Sequence, residues 1–113
     1  MAIRGNIDGG AISILAADTT LVDISALTSV ERIAISGLSI HNTAVASVTV
    51  TVYQSPNLTS ASGKRLAYYS LAPNESADVT ELIGQGFLTN VIAVGSAVGV
   101  NAKVSYTTYT AGD

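Results

Sequence analysis

His41 is the only histidine in the chain and the first residue to test for catalytic chemistry. A Ser-His-Asp arrangement needs an imidazole that accepts the proton of a serine hydroxyl and a carboxylate that orients the ring. The chain contains many serines and several aspartates, but no motif marks any of them as partners of His41. His41 is out of phase with Leu38 and Ile40, so its side chain should face solvent or a partner. We predict a surface residue and a candidate interface contact.

Carboxylates and other metal ligands are scattered along the sequence. Glu75, Asp78 and Glu81 are the only acidic residues close together, and on a strand neighbours three positions apart point to opposite faces. The chain has no cysteine, so thiolate metal sites, disulfides and cysteine nucleophiles are excluded. Gly84 and Gly86 lack the lysine and helix of a phosphate-binding loop and indicate a turn. We predict no metal site, no organic cofactor and no catalytic residue.

The tyrosines are the residues best suited to stacking sugars or bases. Tyr68 and Tyr69 are adjacent, and adjacent residues of a strand point to opposite faces, so the two cannot form one platform. Packing in the core and at its rim is therefore the favoured interpretation. Tyr68 and Tyr69 remain candidate interface residues, and a carbohydrate-binding module remains an alternative function.

The composition argues against two further classes of partner. The net charge is −3 with only five Lys and Arg, whereas a nucleic-acid backbone requires clustered cations. No run of about 20 apolar residues suits a membrane span, and we expect no secretory signal. Charged residues are 12% of the chain and the mean hydropathy is +0.44, so a monomer would expose more apolar surface than soluble monomers usually do. We therefore expect a homo-oligomer.

The hydrophobic pattern has a period of two almost throughout, which is typical of β-strands. It is clearest from Val48 to Tyr53 and in the long run from Val98 to Tyr109. Between Glu31 and Asn42 the apolar phase flips at Ser36-Gly37, as a β-bulge or a strand crossing between sheets would require. The remaining predicted strands are Ala11–Ala16 (a strand or an arm), Thr20–Ser25, Lys64–Leu71, Ser76–Leu82 and Val91–Val94.

Turn residues separate these strands at intervals of roughly 8–12 residues, a spacing typical of sandwiches. The segment Ala72–Glu75 predicts a tight turn because proline fixes one φ angle. Ser96-Ala97 is expected to join the last two strands as a hairpin. Seven to eight short strands of this kind predict an all-β fold, a single-domain antiparallel β-sandwich of jelly-roll type.

The first ten residues differ in character from the rest of the chain. They contain three glycines with Asn6 and Asp8, which disfavour a core strand. Ile3 and Ile7 supply apolar anchors, with Arg4 between them, and all three are candidate interface residues. We predict an N-terminal arm over 1–10 that contacts something outside its own sandwich, and a β-sandwich domain over 11–113.

One group of known proteins shares the order of these features. A strand ends in Ile40-His41-Asn42-Thr43, and the Val/Thr strand Val48–Tyr53 follows it. A Ser/Gly/Ala loop, a strand closing on Leu71–Ser76, a short apolar strand and a long final Val/Tyr strand come next. From about Ile33 to Tyr109 this order resembles the small β-sandwich virion proteins of tailed bacteriophages. Thr89-Asn90 departs from the Gly-Asp that many of those domains carry before the short strand.

The resemblance implies a virion structural protein without enzymatic activity. Within that group we expect a capsid decoration (cement) protein that stabilises the head as a symmetric oligomer, a trimer. Its partners would be the major capsid protein and its own copies, on the outer surface of a capsid whose parts are made in the host cytoplasm. A tail, neck or fibre component of the virion is the first alternative.

Overall fold

The computed structural model describes residues 2–8, 12–23, 31–55, 59, 61, 63–80, 86–87 and 90–110, and side chains within 12–23, 32–55, 59, 61, 63–80 and 90–107. These residues form ten strands and no α-helix. Accordingly, no described segment is a helix long and apolar enough to cross a membrane. The strands are β1 (Ala2–Asp8), β2 (Ile12–Ile14), β3 (Thr19–Val22), β4 (Glu31–Asn42), β5 (Val48–Ser55), β6 (Lys64–Leu71), β7 (Ser76–Asp78), β8 (Gly86–Phe87), β9 (Asn90–Gly95) and β10 (Val100–Thr110).

The strands form two antiparallel sheets that pack face to face. Sheet A has the order β1-β10-β4-β7, and the short strands β2 and β8 add to β10 and β4. Sheet B has the order β3-β9-β5-β6. Each sheet thus has four main strands, and sheet A has the two short strands β2 and β8 in addition. The predicted all-β sandwich is confirmed, and the alternation of the chain between the sheets gives it jelly-roll connectivity.

The core lies between the sheets because every second residue of each strand points inward. Sheet B contributes mainly valines, which suit a pleated and buried surface. Sheet A contributes isoleucines and leucine from its central strand β4. The large side chains fully buried in this core are Ile14, Val22, Ile33, Ile35, Ile40, Val48, Val50, Val52, Leu71, Val79, Val91, Val100 and Val104.

The predicted phase flip in β4 is a β-bulge. Gly37 pairs with Ser105 and Ile35 pairs with Tyr106, so Ser36 has no opposite residue on β10. The extra residue lets Ile33 and Ile35 point into the core before the bulge, and Leu38 and Ile40 after it. One strand therefore keeps both halves of its apolar face inside.

The predicted hairpin at Ser96-Ala97 is wrong. The strands that it joins lie in different sheets, with β9 in sheet B and β10 in sheet A. Gly95 donates a hydrogen bond to the Leu15 carbonyl and Ser96 donates one to the Thr49 carbonyl. The Ser96 contact holds the end of β9 against β5 of its own sheet while the chain turns across to sheet A.

Most predicted strand boundaries agree with the structure. β6 spans the predicted Lys64–Leu71, and β9 extends the predicted strand by one residue at each end. β3 ends at Val22, and residues 24–25 of the predicted strand lie outside the described residues. β7 ends at Asp78, earlier than expected, and the buried Val79 follows it.

The N-terminal residues form an edge strand rather than a free segment. β1 pairs with β10, with Ile3 opposite Tyr109 and Ile7 opposite Tyr106. The register shifts at Arg4, between Ile3 and Gly5. Backbone pairing at an edge needs no buried side chain, which explains why glycine and asparagine are tolerated here. The predicted boundary of the arm at residue 10 lies outside the described residues and stays a prediction.

Candidate functional site

One buried polar side chain organises an end of the sandwich. Asn42 is the last residue of β4 and continues the inward phase of Leu38 and Ile40, so its amide enters the interior and is fully buried. The amide nitrogen donates to the carbonyls of Ala46 (2.9 Å), Leu71 (3.0 Å) and Ala72 (3.2 Å). The amide oxygen accepts from the Ala44 N–H at 2.9 Å. Both polar atoms of the buried amide are therefore satisfied.

Hydrogen bonds link the loop 72–75 to Asn42 and the loop 96–99 to Thr43, and a fourth loop is bonded to the end of β9. Asn42 accepts from the Asn74 N–H and donates its own N–H to the Glu75 carbonyl, both at 2.9 Å. Thr43 donates to the Gly99 carbonyl through its N–H (2.8 Å) and its hydroxyl (2.7 Å). Gly95 donates to the Leu15 carbonyl at 2.9 Å. The loops 15–18, 43–47, 72–75 and 96–99 are thus linked at one end of the molecule.

This end carries three large apolar side chains in water. Leu15 is 48% exposed, Val45 is 97% exposed and Val98 is 64% exposed, one in each of three loops. The alanines beside them are also exposed: Ala16, Ala17, Ala46 and Ala97. Loops 43–47 and 96–99 contain no charged residue. We call this surface, defined by Leu15, Val45 and Val98 with those four alanines, the apolar end.

A close approach between two loops shapes the apolar end. Gly99 has a φ angle of +120°, and a Cβ atom built on it would lie 2.7 Å from the Cβ of Ala44. A side chain at position 99 is therefore opposed by both the backbone conformation and the neighbouring loop. Because glycine has no side chain, the loop that carries Val98 can lie directly against the loop that carries Val45.

His41 lies on the outer face of sheet A, opposite the core. It pairs in register with Asn101 of β10 and Ser76 of β7. Its Nδ1 is hydrogen-bonded to the Ser76 hydroxyl. Asp78 pairs with Ser39, two residues further along the strands, and the described contacts include no hydrogen bond between Asp78 and His41. The serine, histidine and carboxylate of a triad are thus not joined in a chain at this position.

The outer face of sheet A also holds a shallow groove of about 370 Å³. Hydroxyl groups line it, with one charge on each side. The lining residues include Ser36, Ser39, Thr80, Ser105, Asp78 and Lys103. No group of three or more metal-binding side chains occurs in the part of the chain that the structure describes. A ligand in the groove could form hydrogen bonds with these hydroxyl groups and contact the charges of Asp78 and Lys103.

The tyrosines of β6 point to opposite sides of sheet B, as the alternation of a strand requires. Tyr68 is 53% exposed on the outer face, and the Arg65 guanidinium lies 5.7 Å from the centre of its ring. This is within the range of a cation–π contact. Tyr69 points inward at the rim of the core, and its hydroxyl donates to the Asp78 carbonyl at 3.4 Å. The pair does not form one stacking platform.

The six candidate interface residues do not meet at one place. Ile3, Arg4 and Ile7 lie on β1, and their side chains are outside the described residues. His41 lies on sheet A, and Tyr68 and Tyr69 lie on sheet B. Their interface role stays a prediction.

Sequence reasoning missed Asn42 and the apolar end. A polar residue in phase with Leu38 and Ile40 was a signal for a buried hydrogen-bonding side chain. Leu15, Val45 and Val98 lie in three loops far apart in sequence, and nothing local shows that these loops are neighbours.

Comparison with known proteins identifies the fold and no family. No family model matches the chain, and no curated protein matches it. One similar solved structure is a chain from Bacillus endospore appendages, described as forming a novel family of disulfide-linked pili. It matches 96% of this chain and 88% of its own length, with 18% identity and a TM-score of 0.59. A chain from the crystal structure of PirA matches 94% of this chain and 82% of its own, with 10% identity and a TM-score of 0.41.

Proposed function

We propose that this protein is a structural subunit that assembles with copies of itself on the surface of a larger particle. The observation that carries the proposal is the apolar end. Val45 and Val98 are more than half exposed on loops without charge, and burial of such side chains is the main driving force of protein association. Large apolar side chains exposed on neighbouring loops are typical of an interaction site.

The fold comparison supports the same class of function. The similar chain from the endospore appendages is a pilus component by its description, and it aligns with nearly the whole of this chain. This chain contains no cysteine, so subunits of it would associate without disulfide links. Apolar contacts and backbone pairing are then the forces available for assembly.

The more specific role that we propose is decoration of a bacteriophage capsid. It rests on the resemblance of the segment from about Ile33 to Tyr109 to the small β-sandwich virion proteins of tailed bacteriophages. In this role the apolar end contacts the major capsid protein on the outer surface of the head, and the protein has no enzymatic activity. A subunit of a filamentous appendage, or a tail or fibre component, is the second candidate, which the pilus-like fold favours.

Particle composition tests the proposal. Purified particles from the source of this chain are analysed by quantitative mass spectrometry with isotope-labelled peptides. A decoration protein should occur in amounts comparable to the major capsid protein, whereas a tail component should occur in a few copies. Recovery in filaments without capsid protein would favour the appendage. Absence from every particle fraction would overturn the structural role.

A variant of the apolar end tests the surface itself. We expect the double variant Val45→Asp, Val98→Asp to lose at least ten-fold in particle occupancy, because two carboxylates would have to be desolvated on docking. The matched control is Ser36→Asp, which adds a charge on the outer face of sheet A. If both variants occupy particles as the wild type does, the apolar end is not the docking surface.

A further inference from the structure

β6 is an edge strand whose outer side has no strand partner among the described residues. It pairs with β5 alone, regularly from Ala67 to Leu71 and, beyond a bulge at Leu66, again at Lys64 and Arg65. An edge of this length presents a row of main-chain donors and acceptors to any chain that can align with it. Only those residues of β6 whose N–H and C=O point away from β5 can pair with such a chain.

The hydrogen bonds of the neighbouring strand β5 define the direction of these backbone groups. Thr49 of β5 donates its N–H to the Ser96 hydroxyl (3.0 Å) and accepts from the Ser96 N–H (2.9 Å). Its backbone groups therefore point toward β9 and away from β6. Thr49 pairs with Ser70, and in an antiparallel ladder such a pair directs both sets of backbone groups away from each other. The N–H and C=O of Ser70, and by alternation those of Tyr68, point to the open edge.

The same alternation explains the contact that ends the edge. The Ala72 N–H, two residues beyond Ser70, donates to the Glu75 carboxylate at 2.9 Å. A negative charge is thus held at the C-terminal end of the open edge. Lys64 and Arg65 place two positive charges at its N-terminal start, both exposed. The residues between them, from Leu66 to Leu71, carry no charge.

We propose that β6 joins two copies of this chain as an antiparallel pair about a two-fold axis at Tyr68. This deepens the proposed function, since it rests on the self-assembly of the subunit. Antiparallel pairing brings the cationic start of one β6 to the anionic end of the other. With Tyr68 opposite itself, Leu66 of one copy faces Ser70 of the second. β6 has one extra residue at Leu66, and Lys64 and Arg65 follow this bulge beside Ala72 of the second copy, where Glu75 holds its carboxylate. The interface is thus complementary to itself, as a two-fold contact must be.

The side chains suit this register. Tyr68 lies opposite Tyr68 of the second copy on the outer face, and the two rings can pack together. On the inner face the large Tyr69 lies opposite the small Ala67, in both halves of the interface. The two four-stranded B sheets become one continuous sheet of eight strands.

Single cysteines test the axis directly, because the chain has none of its own. In a hydrogen-bonded pair the two Cα atoms at position 68 would be about 5.5 Å apart, within disulfide range. We expect Tyr68→Cys to give a disulfide-linked species of about twice the 11.5 kDa chain on mild oxidation. Ser70→Cys is the matched control, since its two copies would lie about 14 Å apart. Equal cross-linking of both variants, or none of Tyr68→Cys, would overturn the proposal.

Charge exchange is the second test. Lys64→Glu and Glu75→Lys each place like charges at both ends of the interface, and we expect at least a five-fold weaker dimer for each, measured by analytical ultracentrifugation. An equimolar mixture of the two variants restores opposite charges at both ends, so the dimer should reappear in the mixture. If mixing restores nothing, the proposed register is wrong.

The outcomes separate this inference from the proposed function. Abundant particle-bound protein without cross-linking at position 68 overturns the β6 pairing and leaves the structural role standing. Cross-linking at position 68 in a protein that is absent from all particles supports the β6 pairing and overturns the structural role. A trimer of the free chain would show that another surface directs assembly, and would also overturn the β6 pairing.

Discussion

The side-chain nitrogen of Asn42 lies 3.0 Å from the main-chain carbonyl oxygen of Leu71, and this hydrogen bond ties sheet A to sheet B. Asn42 ends β4 and Leu71 ends β6, so the contact closes the sandwich beneath the apolar end. The same amide holds the loop of Val45 through Ala46. Stability and the shape of the proposed docking surface therefore depend on one residue.

We predict that Asn42→Ala lowers the free energy of unfolding by about 2–4 kcal/mol, because it removes four side-chain hydrogen bonds, among them the donor to the buried Leu71 carbonyl. Asn101→Ala is the matched control, since Asn101 is exposed and only accepts a 3.3 Å bond from Ser13. Its effect should stay within about 0.5 kcal/mol. Urea unfolding followed by circular dichroism measures both. Equal effects of the two variants would contradict the role of Asn42.

Two glycines should respond to alanine in different ways. Gly99→Ala should cost about 1–3 kcal/mol, because position 99 has a φ angle of +120° and the new Cβ would meet Ala44. At Gly37 a Cβ would meet nothing within 4 Å, so Gly37→Ala should change stability by less than about 0.5 kcal/mol. Thermal unfolding distinguishes them. A Gly99→Ala variant as stable as the wild type would show that the loop can relax.

The bulge in β4 predicts that the chain cannot lose Ser36. Its deletion would shift the register by one residue and turn Ile33 and Ile35 to the outer face, or Leu38 and Ile40. Exposing two such side chains costs about 3–6 kcal/mol. Ser36→Ala keeps the residue count and should be close to neutral. A deletion variant that melts at the wild-type temperature would contradict the bulge.

We also predict that chelation leaves the melting temperature unchanged. The chain has no cysteine and one histidine, and no calcium-loop pattern, so it lacks the usual ligands of a structural metal. Differential scanning calorimetry before and after prolonged dialysis against EDTA measures this. A fall of several degrees that is reversed by adding one divalent metal would show the prediction to be wrong.

Local features of the sequence determined the strands and their faces. The phase flip at Ser36-Gly37, the span of β6 and the buried run from Val91 to Ala93 are all visible in the order of residues. The reason is that strand periodicity depends on neighbours two positions apart, which the sequence places side by side.

Tertiary structure decided which of these strands and loops meet. The pairing of β10 with both β1 and β4, the crossing at Ser96 and the contact between His41 and Ser76 join segments far apart in the chain. So does the apolar end, which is formed by the loops that carry Leu15, Val45 and Val98. Such contacts depend on the packing free energy of the whole sandwich rather than on local preference, and for that reason the surface that we propose for assembly is visible only in the folded chain.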